Sequence, residues 1–505
     1  MKETDATRLV KGSVYLVTQS VVTTAIGAVA LAFIARILTQ AEMGVSVALT
    51  LILGMAQVLS DLGFSAGLTK YVAEYRGKKV DYTSISFGAV LIKALTASSA
   101  AALCVLAAPW LSGVFLRSAE FAFLFQLLSI YLLTFCLSIT VNYLLLGLNR
   151  IREMAVLNIT STFIGKASAI GFVMYGFGLV GLVIGWILGG LAYMILGALI
   201  LLRNKYIRIR PIRDVVPHLK TLARFSWPLF LTNIVVFLYN WFDRGLLLAF
   251  VPLSEVAVYS IAFEAFAVLS VIATALSTTL LPYYSEQRGK DEEQKIVAGV
   301  YGSSRYIALL YTPLAVGLMA TASPVITLFA GPAYARGDVI LAILCLFGTL
   351  NGITASLGGL LLVYNMTPTV LLINIASVMV STVMSPLLLS FLGVIGIAIV
   401  KGGAMIISLA LTVVALRKRI SIKFDTEALW KGLCAAIVMF VGVFLTERIH
   451  YNAYLLPLYV VVGGAIYLIT LRLLRIVNEN DIELMRNLLG KRATMITDFV
   501  EKVLI

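Results

Sequence analysis

Apolar segments of about twenty residues follow one another along nearly the whole chain, and short polar segments separate them. Each is long enough to cross a bilayer as a helix, because a hydrocarbon core of ~30 Å needs about 20 helical residues. The pattern predicts about fourteen transmembrane helices, at roughly residues 12–38, 43–69, 83–110, 118–147, 153–176, 179–202, 223–249, 255–282, 297–325, 338–364, 367–391, 393–416, 427–446 and 453–474. Strand-like alternation is absent, so an all-α polytopic membrane protein is expected.

The two halves of the chain repeat each other. The matching segments lie 212 to 216 residues apart: EYRGK at 74–78 with EQRGK at 286–290, Asn149 with Asn365, and GLVG at 178–181 with GVIG at 393–396. Each repeat contains six predicted spans, an even number, so both repeats enter the membrane from the same side. Two parallel six-helix lobes are therefore predicted, a recurring arrangement in transporters.

The repeat and the polar segments predict five regions. They are an N-lobe at 1–202, a basic cytoplasmic linker at 203–222, a C-lobe at 223–419, two further C-terminal helices at 420–475, and a tail at 476–505. Apolar residues of the tail recur on one helical face, which predicts an amphipathic helix on the inner leaflet.

Composition and charge agree with a membrane protein. Hydrophobic residues make up 60% of the chain and charged residues 13%, against ~25% charged in soluble proteins. The net charge of +14 comes mostly from loops on one side of the predicted spans, which carry 23 lysines and arginines against four on the other side. The positive-inside rule therefore predicts that both termini lie in the cytoplasm. The expected location is the plasma or inner membrane, which the chain crosses many times. A nucleic-acid partner is unnecessary to explain the charge, and two histidines and four scattered cysteines predict no metal or other cofactor.

Ionisable residues inside the spans are the strongest functional candidates, because a charge at mid-bilayer costs ~3 kcal/mol and therefore faces protein or water. The cations are Lys93, Lys166, Arg305, Lys401, Arg36 and Arg244, and the carboxylates are Asp61, Asp243 and Glu264. Uncharged polar residues in equivalent spans add Gln19, Asn233 and Asn240. The cations and amides predict a substrate-binding cavity for an anion such as phosphate, and the carboxylates could bind a coupling H⁺ or Na⁺.

Structural roles that need no substrate can also explain several of these residues. Arg36 and Arg244 can extend to the outer interface, and Arg305 can reach the inner one. Asp243 can form a structural pair with its neighbour, and the amides can serve hydrogen bonding between helices.

Two motifs resemble a known family. The segment ARILTQAEMG at 35–44 resembles the first external turn of the polysaccharide-biosynthesis (O-antigen type) flippases of the multidrug/oligosaccharidyl-lipid/polysaccharide exporter superfamily. The segment DLGFSAGLTKYVAEY at 61–75 resembles that family's motif at the end of span two. Of the family's features, only Arg36 and Asp61 map onto this chain by motif. The related lipid II flippases carry arginines near the start of span two, where this chain reads MAQVLS at 55–60, so a peptidoglycan precursor is not the expected cargo.

The resemblance implies a two-lobed, V-shaped fold with a cationic central cavity. It implies a flippase, not an enzyme, that moves a polyprenyl-(pyro)phosphate-linked oligosaccharide to the outer leaflet by alternating access, often coupled to an ion gradient. Membrane lipids are the other expected partners, and the protein is expected to work as a monomer, beside polysaccharide assembly enzymes.

Two alternatives remain at this point. A multidrug or cation antiporter of the same superfamily would need an anionic cavity. A membrane-embedded glycosyl- or phosphotransferase would need clustered carboxylates for a metal ion, and no loop contains a DxD or DDxxD pattern.

Overall fold

A computed structural model describes residues 5–476, with the side chains of all of them except 5–11, 13, 214, 275, 276, 278 and 279. These residues form helices and short turns, with no strand among them. The chain divides into two compact units between Ser260 and Ile261. Apart from Ile476, the predicted amphipathic tail lies outside the described residues.

Unit 1 contains eight complete helices and the start of a ninth. They are α1 (Asp5–Ile37), α2 (Gln40–Asp61), α3 (Phe64–Gly77), α4 (Thr83–Leu116), α5 (Ala122–Gly147), α6 (Ile151–Phe172), α7 (Gly178–Arg203), α8 (Ile212–Phe250) and the first turns of α9 (Leu253–Gly289). Helix α8 packs against α2, α3 and α4, and α1 packs against α6.

Unit 2 contains the rest of α9 and eight further helices. These are α10 (Glu293–Tyr306), α11 (Thr312–Ala320), α12 (Ala322–Ala330), α13 (Gly337–Val363), α14 (Thr367–Leu392), α15 (Val394–Arg417), α16 (Thr426–Ile449) and α17 (Leu456–Leu473). The last two pack on each other and on α11, and the Tyr467 hydroxyl donates to the Leu309 carbonyl at 3.1 Å.

The described residues contain twelve segments that are long and apolar enough to cross a membrane, or thirteen if the bent pair Glu293–Ala320 and Ala322–Ala330 forms one span. The chain is therefore a helical multi-pass membrane protein, as the sequence predicts. The predicted total of fourteen, the lobe boundaries and the V-shaped arrangement stay predictions.

One of the twelve segments, Ile151–Arg203, is a helical hairpin. Helices α6 and α7 meet at a tight turn in which Gly176 has φ 89° and Gly178 has φ 52° with ψ −133°, conformations that glycine adopts without steric cost. The two helices are in close contact along their length, since a Cβ added to Gly165 would lie 3.1 Å from the Gly189 Cα. Small residues permit this close packing of helices in a membrane.

The repeat is visible in the backbone of three pairs of turns. Each pair shares a left-handed residue: Lys79 (φ 57°) with Asp291 (φ 57°), Asn149 (φ 58°) with Asn365 (φ 55°), and Gly178 (φ 52°) with Gly393 (φ 58°). The first pair also shares an ion pair between residues four apart, from Lys78 to Glu74 and from Lys290 to Glu286, each at 2.5 Å. The duplication detected in the sequence therefore extends to local structure.

The second predicted span ends earlier than expected. Helix α2 stops at Asp61 because Leu62 (φ 48°) and Gly63 (φ 76°) are both left-handed, and α3 begins at Phe64. A Cβ on Gly63 would lie 2.5 Å from the Ser226 carbonyl oxygen of α8. The break thus requires glycine on two grounds, backbone conformation and close approach.

Helix α8 begins at Ile212, within the predicted linker 203–222, so a short non-helical segment joins α7 to α8. Arg210 fixes this loop to the start of α4 by donating to Asp81 and Thr83. Burial raises the pKa of the Asp81 carboxyl, but hydrogen bonds from Thr83 and the charge of Arg210 outweigh it and hold that pKa below its usual value.

Candidate functional site

A cavity of about 470 Å³ lies inside unit 1, between α2, α5, α6 and α7. Its walls combine aromatic, amide and hydroxyl side chains with one lysine, and the lining residues include no carboxylate. Pockets of this size bind small organic groups, with a few polar side chains that fix the orientation of the ligand.

Three aromatic side chains form one wall of the cavity. The Tyr131 ring lies 5.8 Å from Trp186, with 41° between the ring planes, and 5.4 Å from Phe135. Flat, rigid aromatic faces offer a large contact area to apolar surfaces such as the C–H faces of a sugar ring. This wall suits a carbohydrate group better than a small inorganic ion.

A second group of lining residues is polar. Asn158, Thr162 and Lys166 line the cavity from α6, and their spacing of four residues places them on one helical face. Lys166 is half-buried. The cavity can therefore hold a hydroxyl-rich group together with a negative charge near Lys166.

Two further polar atoms at this cavity are buried. The Asn142 Oδ1 and the Tyr193 hydroxyl have no hydrogen-bond partner among the described residues, and both side chains line the cavity. Buried polar groups nearly always have a partner. These atoms therefore indicate a cavity built to bind a polar ligand or water.

A buried ion pair lies beside this cavity. The Lys93 Nζ of α4 lies 2.8 Å from the Asp61 Oδ1, and the Ser65 hydroxyl donates to the same carboxylate oxygen. Lys93 is 1% exposed and Asp61 is 5% exposed. The helix break after Asp61 brings this carboxylate from the end of α2 to α4, so two residues predicted to act separately form one unit.

Helix α5 connects the ion pair with the cavity. The Ser60 Oγ lies 3.2 Å from the Cys136 Sγ, and Phe135, the preceding residue of α5, lines the cavity. Ser60 precedes Asp61 and Phe135 precedes Cys136, so a single contact between α2 and α5 separates the ion pair from the cavity wall.

The other predicted residues of unit 1 lie elsewhere. Asp243 accepts a hydrogen bond from the Tyr259 hydroxyl at 2.6 Å, and the Arg244 guanidinium lies 4.4 Å from the centroid of the Trp241 ring. Asp243 and Arg244 are buried, Gln19 is half-buried, and Arg36, Asn233 and Asn240 are exposed. The Asn240 amide donates to the Val236 carbonyl of its own helix at 2.9 Å.

In unit 2, the buried Lys401 ammonium lies 5.6 Å from the centroid of the Phe263 ring, and Glu264 is exposed. Arg305 lies 2.8 Å from the Asp425 Oδ2 and also donates to the Ile476 carbonyl. These contacts connect α10 with the start of α16 and with the end of the described chain. They give Arg305 a structural role that needs no bound ligand.

The Arg305–Asp425 pair gives a testable pH dependence. Burial raises the pKa of the Asp425 carboxyl, but hydrogen bonds from the Ala428 N–H, Arg305 and Tyr301 outweigh it and keep that pKa below its usual value. Such a group stabilises the fold at neutral pH, and its contribution disappears as the pH falls through its lowered folded-state pKa. We expect Asp425→Asn to lower the free energy of unfolding by about 2 kcal/mol at pH 7.

Thermal unfolding of the purified protein between pH 7 and pH 3 measures this effect. The difference between wild type and Asp425→Asn should shrink as the pH falls. Asp291→Asn is the matched control, because Asp291 is exposed and left-handed and asparagine tolerates that conformation. If Asp425→Asn is still less stable than the wild type by the same amount at pH 3, the stabilising role of the Arg305–Asp425 pair is contradicted.

Sequence reasoning missed the aromatic wall and the amides of the cavity. Trp186, Tyr131 and Asn142 are uncharged and lie in strongly apolar segments, so composition did not single them out. One sequence signal for the cavity was available. Asn158, Thr162 and Lys166 recur every four residues and so form a polar stripe on one face of the otherwise apolar α6.

The comparisons with relatives agree with the resemblance of the two motifs. A probable low-salt glycan biosynthesis flippase, Agl15 of Haloferax volcanii, is 22% identical over 410 residues, which cover 81% of this chain and 83% of that protein. A probable flippase of the same organism, AglR, is 26% identical over 136 residues, 27% of this chain and 28% of that protein.

Solved structures share the fold. The lipid II flippase MurJ, in an inward closed conformation, matches with a TM-score of 0.75 at 15% identity, covering 90% of this chain and 97% of that chain. The MATE transporter VcmN of Vibrio cholerae matches with a TM-score of 0.61 at 16% identity, covering 82% and 97%. A family model described as polysaccharide biosynthesis protein matches residues 33–336, and since that is more than half of the chain, the protein belongs to this family.

Proposed function

We propose that the protein is a flippase that moves a polyprenyl-(pyro)phosphate-linked oligosaccharide from the cytoplasmic to the outer leaflet by alternating access. It works as a monomeric transporter, not as an enzyme, in the plasma or inner membrane, with its basic loops and both termini in the cytoplasm. Family membership and the flippase names of two relatives support the class of activity. The bias of 23 to four basic residues between the two sides supports the orientation.

The observation that carries the proposal is the composition of the unit 1 cavity. An aromatic wall and a row of amide and hydroxyl groups suit a sugar, and Lys166 suits a phosphate or a sugar acid. In this proposal the cavity holds part of the oligosaccharide headgroup while the lipid tail stays in the bilayer. Lys401, which is buried within unit 2, is proposed as a separate candidate for binding an anionic group of the substrate.

The Asp61–Lys93 pair is proposed as the coupling element. A proton on the Asp61 carboxylate, or a Na⁺ beside it, would remove most of the attraction between the two side chains. The pair then has two arrangements whose populations depend on the ion gradient. Packing through Cys136 to the cavity wall supplies the connection to substrate binding.

The cation antiporter alternative has less support. A carboxylate in the binding cavity would favour a cationic drug, and the residues that line this cavity include no carboxylate but do include Lys166. The buried carboxylate nearby, Asp61, is already paired with Lys93. The fold shared with MATE transporters does not decide between the two substrates.

A flipping assay tests the proposal. Purified protein is reconstituted into liposomes with a fluorescent polyprenyl-diphosphate oligosaccharide, and the labelled lipid that becomes accessible on the opposite face is measured over time. We expect flipping of this lipid and no transport of a cationic dye such as ethidium. Dye transport without lipid flipping would contradict the proposal and support the antiporter.

Substitution of one tryptophan in the cavity, with a second tryptophan outside it as the control, tests the role of the cavity. We expect Trp186→Ala to reduce the flipping rate at least about tenfold, because a stacked aromatic contributes ~1 kcal/mol or more to binding beyond the area it covers. Trp110→Ala is the matched control, since Trp110 is 64% exposed on α4 and is not among the residues that line the Lys166 cavity. Equal loss in both variants would show that the effect does not arise from the cavity.

A further inference from the structure

A second cavity in unit 1 lies at the end that bears the basic loops. It has a volume of about 530 Å³ and is lined by Arg76, Arg150 and Arg152 together with tyrosines 15, 82 and 206. We call it the basic pocket. It is formed by the end of α3, the turn between α5 and α6, the start of α1 and the linker, and it shares no lining residue with the Lys166 cavity.

Contacts with the protein hold two of the arginines in place. Arg76 donates to the Leu148 carbonyl, and the Arg150 guanidinium lies 5.5 Å from the centroid of the buried Tyr206 ring. Arg150 also lies 3.7 Å from Glu153, and both of these side chains are partly exposed. Among the described side chains, three arginines and one carboxylate lie at the pocket, so these four groups together carry a net positive charge.

The turn between α5 and α6 does not require Arg150 and Arg152. The second repeat builds the same turn, with Asn365 left-handed as Asn149 is, yet it has Met366 and Pro368 at the positions equivalent to Arg150 and Arg152. The equivalent of Arg76 is Arg288, which lies 2.8 Å from Glu293. The first repeat thus carries two arginines, Arg150 and Arg152, that its copy lacks, so the shared turn does not account for them.

The chemistry of the basic pocket fits a phosphate group. Guanidinium groups bind phosphate oxygens through paired hydrogen bonds, and tyrosine hydroxyls add donors. The pocket also includes Ile151, the first residue of the 22-residue helix α6, where free backbone N–H groups favour an anion.

The position of the basic pocket points to the membrane surface. The spans α1 and α6 start there, and the apolar side chains of Leu148 and Ile151 line the pocket beside the arginines. Tyrosines and basic residues at the ends of spans lie at the level of lipid headgroups. We propose that the basic pocket binds a phosphate-bearing anion of the kind carried by an anionic lipid headgroup, independently of the transported substrate.

A binding titration tests this proposal. Acyl-labelled fluorescent phosphatidylglycerol is titrated into the full-length protein in detergent, with labelled phosphatidylcholine as the zwitterionic reference and inorganic pyrophosphate as a soluble competitor. We compare wild type with Arg150→Met/Arg152→Gln, in which the first change introduces the residue of the second repeat. Each lost arginine is expected to weaken binding of phosphatidylglycerol at least about tenfold.

The matched control is Arg417→Gln/Lys418→Gln, which removes two exposed positive charges from a basic loop of unit 2 and should leave the affinity unchanged. If the double variant of the basic pocket does not fold, Arg152→Gln alone, at an exposed position, gives the same comparison. Selective loss of phosphatidylglycerol binding supports a lipid ligand, and selective loss of pyrophosphate binding supports a soluble phosphate ligand. Equal affinities of wild type and the pocket variants for both probes would overturn the proposal.

Discussion

Replacing Lys93 with methionine is expected to destabilise unit 1 by about 3–5 kcal/mol, because it leaves the Asp61 carboxylate buried without its counter-ion. Lys93 is 1% exposed and Asp61 is 5% exposed, so water cannot replace the missing ammonium without opening the packing. The unfolding temperature of the purified protein, followed by intrinsic tryptophan fluorescence, measures the loss.

The double variant Lys93→Met/Asp61→Asn distinguishes this cause from a simple packing defect. It removes both charges and keeps an oxygen that can accept the Ser65 hydrogen bond, so most of the lost stability should return. The recovered protein should flip its lipid substrate without the response to a pH or Na⁺ gradient that the proposed function predicts for the wild type. An unfolding temperature of Lys93→Met equal to that of the wild type would refute the buried pair, and a double variant with an intact gradient response would refute its coupling role.

Replacing Lys166 with methionine is expected to reduce the flipping rate by roughly 10- to 100-fold, the loss of one charge-assisted hydrogen bond to the headgroup. The stability should change by less than ~1 kcal/mol, because Lys166 is half-buried and methionine preserves the apolar stem of the side chain. Flipping in proteoliposomes and thermal unfolding are measured on the same preparation.

Two further variants sharpen the Lys166 result. Lys166→Arg retains the charge and should keep more activity than Lys166→Met. Lys418→Met removes an exposed lysine at the end of α15 and should flip at the wild-type rate. Flipping by Lys166→Met at the wild-type rate would exclude Lys166 from the substrate path.

The helices were predictable because each membrane span requires about twenty consecutive, mostly apolar residues, which are visible in the sequence. The break in the second span was less accessible. Gly63 suggests it, but Leu62 carries no signal for a left-handed residue, and the close packing of Gly63 against Ser226 of α8 is visible only in the folded chain. The contact that forces it joins residues more than 150 positions apart in the sequence.

The candidate site was predictable in part for the same reason. Lys166 is conspicuous as a charge in an apolar span, and the structure places it in a cavity. The pairing of Lys93 with Asp61 was not predicted, since each charge alone fits a substrate or an ion equally well. Arg305 and Asp425 are 120 residues apart, and only the folded chain shows that they meet.

The hairpin of α6 and α7 has a consequence for how the chain is inserted during synthesis. A lysine near the centre of a lone helix opposes insertion by about 3 kcal/mol, and α6 also contains Asn158. The turn at Gly176–Gly178 leaves almost no loop between the two helices, so we expect them to insert as one unit. The strongly apolar α7, with glycines that fit closely against α6, then carries the polar stripe of its partner into the bilayer.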